Sequence, residues 1–290
     1  MTGLSGSCLL DDLGVLRFRG TDARKFLQGQ LSNDIGRLAP GTLLRAGVHN
    51  PQGRTMALLA LAAAADGDVL ALMPRDLIDH IGSLLKRYVL RSKVTIADET
   101  ARFRIVGLMP AETTPPDAGQ RYRYGLQGDE RALLLQDSSH RSGTAPNLNR
   151  EQWRARDIAA GLPQVSSATS GHFVAQMLNL DCIDAISFDK GCYTGQEIIA
   201  RAHYRGRVKR RMQRFVSCRP QALVAGASGR LSDGRNFRVV EAVVREDGRC
   251  EFLAVAHLPG AATDPEEGTD GGSERTLAAE ALPLPYGFPE

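Results

Sequence analysis

The chain has 290 residues, of which 42% are hydrophobic and 24% charged, and a net charge of +3. That length can bury one large core or two to three small ones, and the composition is that of a globular protein rather than a disordered or fibrous one. The charge is uneven. From Thr263 onward seven acids face the one base Arg275, which leaves 35 Lys and Arg against 26 Asp and Glu before it and favours anionic ligands there.

Leu9-Leu10 and residues 15–19, separated by Asp11-Asp12 and Gly14, predict a hairpin. Thr21 is placed to cap a helix over 22–29, residues 38–41 form a turn, and 46–50 end a strand before Pro51-Gln52-Gly53. The apolar run 56–62 is a buried strand or a buried helix; periodicity does not choose. Residues 75–90 carry Leu77, Ile78, Ile81, Leu84, Leu85 and Tyr88 at helical spacing, which predicts an amphipathic helix with a core-facing stripe. Strands follow at 94–97, 103–108 and 132–136, with a proline-bearing loop over 110–120. Asn149 caps a helix through Trp153 and Ile158 that stops at Gly161 and Pro163. Beyond Arg207 the apolar runs are short, strand-like and separated by glycines, as in a small barrel, and 261–280 is acidic and Gly-rich. Mixed elements followed by a β-only segment predict an α+β fold: an α+β region over 1–206, a C-terminal β-barrel over 207–262 and a flexible acidic tail over 263–290.

Five cysteines (Cys8, Cys182, Cys192, Cys218 and Cys250) without Cys-x-x-Cys spacing exclude a disulfide framework and a zinc ribbon and fit a reducing compartment. No basic residue precedes Arg17 and no apolar signal segment is visible; the run 56–65 is too short to span a bilayer. A cytoplasmic protein with no membrane partner is expected, and a monomer. No two histidines stand at metal-ligand spacing, so no metal is assigned.

The densest chemistry lies in Lys190-Gly191-Cys192-Tyr193-Thr194-Gly195-Gln196-Glu197. Two glycines free the backbone on either side of a thiol, and the residues after Gly195 read as a short helix. A cysteine leading into a helix, with Lys190 beside it, is placed for thiolate chemistry; the alternative is an inert cysteine in a strand-to-helix turn. Gln196 and Glu197 are read as holding the loop through backbone hydrogen bonds.

This octapeptide, the preceding 173–189 and the earlier Phe26-Leu27-Gln28-Gly29-Gln30-Leu31-Ser32-Asn33-Asp34 and Asn50-Pro51-Gln52-Gly53-Arg54 resemble the YgfZ family, folate-binding relatives of the glycine-cleavage T-protein. Order and spacing fit over about residues 4–260, with one departure at Ala175, where the family usually carries proline and where a looser turn is therefore expected. The resemblance implies two α+β subdomains and a C-terminal barrel around a central channel that holds tetrahydrofolate. It also implies an accessory role in iron–sulfur cluster synthesis or repair, with iron–sulfur proteins or their assembly machinery as transient partners. Cys192 would be the reactive group and Lys190 its electrostatic partner. The T-protein glutamate that contacts the pterin, eleven positions before the loop lysine, falls on Asn179, which keeps an acceptor but no charge; Asp181 is the candidate replacement. Asn33, Asp34, Arg54 and Arg201 are further candidate ligand groups, the first two also reading as a turn with a helix cap. Where the T-protein closes a Gly-Gly-x-x-Asp-Asp run with its catalytic aspartate, this chain has Met56 and Ala57, so aminomethyl transfer is not expected.

Two other functions compete. One is a one-carbon transferase with Cys192 as nucleophile, for which His203 is the candidate base. The other is RNA binding through the basic run 201–214, ranked last because Tyr204 is the one aromatic within it and no stacking platform is visible. No direct nucleic-acid partner is expected.

Overall fold

A run that is apolar at every position from Met56 to Ala63 is explained by a sheet covered on both faces. The computed structural model describes residues 5–110, 119–139, 146–206, 208–260 and 276–289. In chain order its first elements are β1 (Gly6–Leu9), β2 (Leu13–Arg19), α1 (Ala23–Gln30), β3 (Leu43–His49), β4 (Thr55–Ala63), β5 (Val69–Pro74), α2 (Ile78–Lys86) and β6 (Thr95–Asp98). Then come β7 (Phe103–Met109), β8 (Gln120–Arg123), β9 (Ala132–Asp137) and α3 (Arg150–Ala159). Strands β3-β4-β5-β2-β6 form one antiparallel sheet and β1-β7-β9-β8 another. Alternate residues of β2 and β5 serve different cores. Leu16, Phe18, Ala71 and Met73 pack under α1 and α2, whereas Val15, Leu70 and Leu72 meet Ile105, Leu133 and Trp153 of the second sheet and α3. Trp153 lies so close over Gly107 that a Cβ there would sit 2.4 Å from its ring.

After α4 (Gln196–Tyr204) the chain forms β10 (Arg210–Pro220), β11 (Ser228–Leu231), β12 (Asn236–Val244) and β13 (Arg249–His257), then β14 (Thr276–Leu277) and β15 (Ala279–Leu282). The sheet order is β14-β11-β12-β13-β10-β15. Its two edge strands are separated in sequence only by Ala278, so one stretch of chain pairs with both ends of the sheet and nearly closes a barrel. The α+β fold with a C-terminal barrel-like sheet is the expected one.

Several local expectations change. The 56–62 run is a strand, β4, and β1 and β2 are not a hairpin: β1 pairs with β7, and β2 with β5 and β6. Pairing partners some 50–100 residues away decide this, and nothing local announces them. Helix α1 is preceded by Asp22 rather than capped by Thr21, and the Asp22 carboxylate accepts from the Lys93 backbone N–H at 2.7 Å instead of capping. The helix predicted over 75–90 is a 3-10 turn, Arg75–Leu77, and then α2, which ends at Lys86; Tyr88 therefore leaves the core stripe and is 43% exposed. Asn149 does cap α3, in a reciprocal box with Gln152. The tail is not flexible throughout: Ala279–Leu282 pairs with Arg214–Ser217, and Leu277 is buried. Residues 261–262 at the end of the predicted barrel, 263–275 of that tail and 111–118 of the proline-bearing loop lie outside the described residues.

Candidate functional site

The three sequence segments that carried the family resemblance meet in space. Helix α1 ends at Gln30 and leaves carbonyls without intrahelical partners. Lys190, 9% exposed, supplies the missing donors: its Nζ gives hydrogen bonds to the Gln28 and Leu31 carbonyls and lies 5.0 Å from the centre of the Tyr193 ring. Burial pulls its pKa from 10.5 down to about 8, with Asp34 opposing. The lysine thus staples the loop to the end of α1 and is committed to carbonyls, not to the thiol. The expectation that it serves as the partner of Cys192 is replaced by this role.

Tyr193 is the loop's anchor. It is buried, its ring centre is 6.2 Å from that of His49, and burial raises its pKa to about 12. His49 is pushed down to about 3 by burial and is neutral, with Nδ1 3.3 Å from the Thr55 hydroxyl. Gly195 (φ 82°) then turns the chain into α4 against the 50–54 turn. A Cβ there would come within 2.5 Å of the Asn50 carbonyl oxygen, so only glycine fits. Between these fixed points Gly191 and Cys192 are exposed, and a Cβ on Gly191 would meet no atom within 4 Å. A rigid frame presents one thiol to solvent. Glu197 stands exposed in the first turn of α4, where a carboxylate suits the helix dipole, and Gln196 is half-buried beside it.

The other candidate residues divide sharply. Asn33 is wholly buried and structural: its Nδ2 donates to the Arg45 and Asp184 carbonyls, and its Oδ1 accepts from the Asp34 N–H. Asp34 accepts from the Gly36 N–H and the Gln28 amide, so the turn-and-cap alternative holds for this pair. Arg54 is exposed and donates to the His172 carbonyl at 2.7 Å. Asp181 is consumed by a buried bidentate pair with Arg211, both contacts 2.9 Å, and so does not substitute for the missing pterin carboxylate. Arg201 is exposed on α4. His203 stacks on Phe188, ring centres 3.7 Å apart, and stands about 10 Å along α4 from the loop end, which removes it as a base for Cys192.

Asn179 is the informative one. It follows the 3-10 turn Ala175–Leu178, adopts a left-handed conformation (φ 56°) and has no exposed surface. The turn is closed and buried despite Ala175 replacing proline. The Asn179 Nδ2 donates to the Met212 carbonyl (2.8 Å) and the Tyr286 hydroxyl (3.3 Å), yet its Oδ1 is buried without a partner, as is Oε1 of Gln176 one turn earlier. Two unsatisfied acceptors on one turn are costly in a fold and fit a ligand that brings N–H donors.

Sequence reasoning missed a cleft lined by Arg45, Tyr124, Asp157, Leu58, Leu162 and Gln164. Arg45 reaches the Tyr124 carbonyl and lies 5.1 Å from its ring centre, and burial lowers its pKa. Asp157 is pushed up by burial and held by Arg131 at 2.8 Å. These residues come from separate elements, and no local motif joins them. No helix among the described residues is long and apolar enough to cross a membrane.

No protein-family model matches the sequence. Among curated proteins, the chain is 32% identical to the tRNA-modifying protein YgfZ of Enterobacter sp. (strain 638), over 97% of this chain and 93% of that one. It is 34% identical to the protein of that name from Klebsiella pneumoniae (strain 342), over 83% and 81%. Among solved structures it resembles the glycine cleavage system aminomethyltransferase T of Bartonella henselae, with a TM-score of 0.65, 13% identity, and coverage of 88% of this chain and 79% of that one. The fold is that of the T-protein.

Proposed function

We propose that this chain, which belongs to the YgfZ family, binds tetrahydrofolate or a derivative and acts in the cytoplasm as an accessory factor for synthesis or repair of iron–sulfur clusters. The exposed thiol of Cys192 makes the transient contact with its client proteins. The observation that carries the ligand half is the pair of buried, unpartnered acceptors, Asn179 Oδ1 and Gln176 Oε1, on the turn that family resemblance aligns with the pterin site. A reduced pterin offers ring N–H and amino donors, which are what those oxygens lack. The neutral amides bind it less tightly than a carboxylate would. The loop's fixed backbone supports the second half: a thiol carried between Tyr193 and the Lys190 staple meets clients in one geometry. Aminomethyl transfer is not part of the reading, because Met56 and Ala57 stand where its acids would be. The tRNA-modifying role named for the relatives comes to this chain through such clients.

Calorimetric titration of tetrahydrofolate into wild type, Cys192→Ala and Asn179→Leu tests it. Saturable binding to wild type and Cys192→Ala, weakened at least ten-fold in Asn179→Leu, is the expected pattern. Absence of binding to the wild type removes the ligand from the proposal.

A further inference from the structure

Four arginines of the basic run 201–214 divide into two populations in the fold. Arg211 and Arg214 are structural, paired with Asp181 and Glu251. Arg201 and Arg205 are exposed on α4 and its C-cap, and neither makes an ion pair among the described residues. Arg201 lies three residues before Tyr204, on the same face of the helix, and Arg205 follows Tyr204 at the C-cap, four residues and so about one turn beyond Arg201. Tyr204 is 66% exposed. It is not a lone aromatic: Phe188, from the turn before the Cys192 loop, stacks on His203 (3.7 Å, 13°), and Tyr204 meets both edge-on, at 6.1 and 4.7 Å. The fold therefore builds the stacking platform that sequence spacing hid, since Phe188 lies fifteen residues before His203. Glu197 and Asp189 are the exposed acids nearby, Glu197 one turn before Arg201 at the opposite end of the helix.

We propose that this face of α4, with Phe188 beneath it, is a docking surface for single-stranded RNA. A largely exposed tyrosine ring, backed by a rigid stacked pair, offers a π-face to an unpaired base, and the two guanidinium groups one turn apart meet phosphates on either side of it. A duplex keeps its bases paired and offers none to stack. An acidic peptide satisfies the arginines but leaves the tyrosine face unused. The surface lies at the far end of the helix that begins at the Cys192 loop, so a docked RNA and the thiol sit on one element. The inference is independent of folate.

Fluorescence anisotropy with a labelled twelve-nucleotide single-stranded RNA, the matching duplex and an acidic peptide of equal charge provides the test. Wild type is expected to prefer the single strand, with affinity falling as salt rises. Tyr204→Ala weakens it about ten-fold without changing the salt slope, and Tyr204→Phe restores it. The double variant Arg201→Gln, Arg205→Gln flattens the log–log salt slope by about 1.4, at about 0.7 per single-strand phosphate contact. All of these side chains are exposed or at the helix end, and circular dichroism checks that the variants fold. No RNA binding by the wild type, indifference to Tyr204→Ala, or tighter binding of the acidic peptide through the same arginines overturns the proposal.

Discussion

Lys190 shows how one residue's role changes when its surroundings are known. Next to a cysteine in sequence, it reads as an activator of the thiol; in the fold it caps α1 and lies over Tyr193. The two roles predict different variants. Lys190→Met leaves the Gln28 and Leu31 carbonyls without donors, at about 1–3 kcal/mol each, so urea denaturation should show a loss of roughly 2–6 kcal/mol. Alkylation of Cys192 in the folded protein should proceed at close to the wild-type rate; a large slowing without loss of stability would restore the activator role. The pH dependence has a definite sign. Burial holds the folded pKa at about 8, below the ordinary 10.5, so between those values the unfolded chain binds more protons and stability rises with pH. That rise should be seen in wild type between pH 8 and 10 and be absent from Lys190→Met. The motif was legible in the sequence; which way its lysine faced was not, because the acceptors are about 160 residues away.

At the scale of elements, legibility followed locality. The Asn149 box of α3 is complete within four residues and is legible there, whereas β1, β2 and the C-terminal strands take their meaning from distant partners. The C-terminal segment is the sharpest case. Its acidic, Gly-rich approach suggests a flexible tail, yet β14 and β15 pair with opposite ends of the barrel sheet and the residues beyond run back to the α+β region. There the Tyr286 hydroxyl donates to the Gly161 carbonyl at 2.7 Å and accepts from Asn179, and Phe288 lies under the Arg211 guanidinium. Tyr286→Phe keeps the ring and removes the bridge, so a loss of about 1 kcal/mol is expected by urea denaturation. Deleting 276–290 strips β10 and β11 of their outer neighbours and exposes two strand edges, which should produce concentration-dependent association in sedimentation experiments. A truncated chain that stays monomeric and equally stable would make the segment an ornament.

Across the whole molecule, the mixture of helices and strands followed by strands alone was enough to give the fold class, while the seam that joins the parts was invisible. That seam is ionic. Arg150 of α3 pairs with Asp12 between β1 and β2, Asp157 with Arg131 before β9, and Arg154 with Glu241 of β12 at 3.1 Å. One helix thereby binds both the four-stranded sheet and the barrel, through residues up to about 140 positions apart that no periodicity connects. Glu241 is its pH-sensitive member. Burial first, and the neighbouring Asp157 second, raise its pKa from 4.5 to about 8, against the pull of Arg154 and Arg150. A carboxyl raised on folding binds its proton more tightly in the folded state, so its contribution is complete below pH 4.5 and is lost as pH climbs to 8. Glu241→Gln imitates the protonated form at every pH. The variant should match wild type near pH 5 and exceed it by a few kcal/mol at pH 8, read from urea midpoints at constant m-value. If wild type is instead the more stable protein at pH 8, the charged Arg154–Glu241 pair outweighs the cost of burying it, and the barrel is held to α3 by attraction rather than in spite of desolvation.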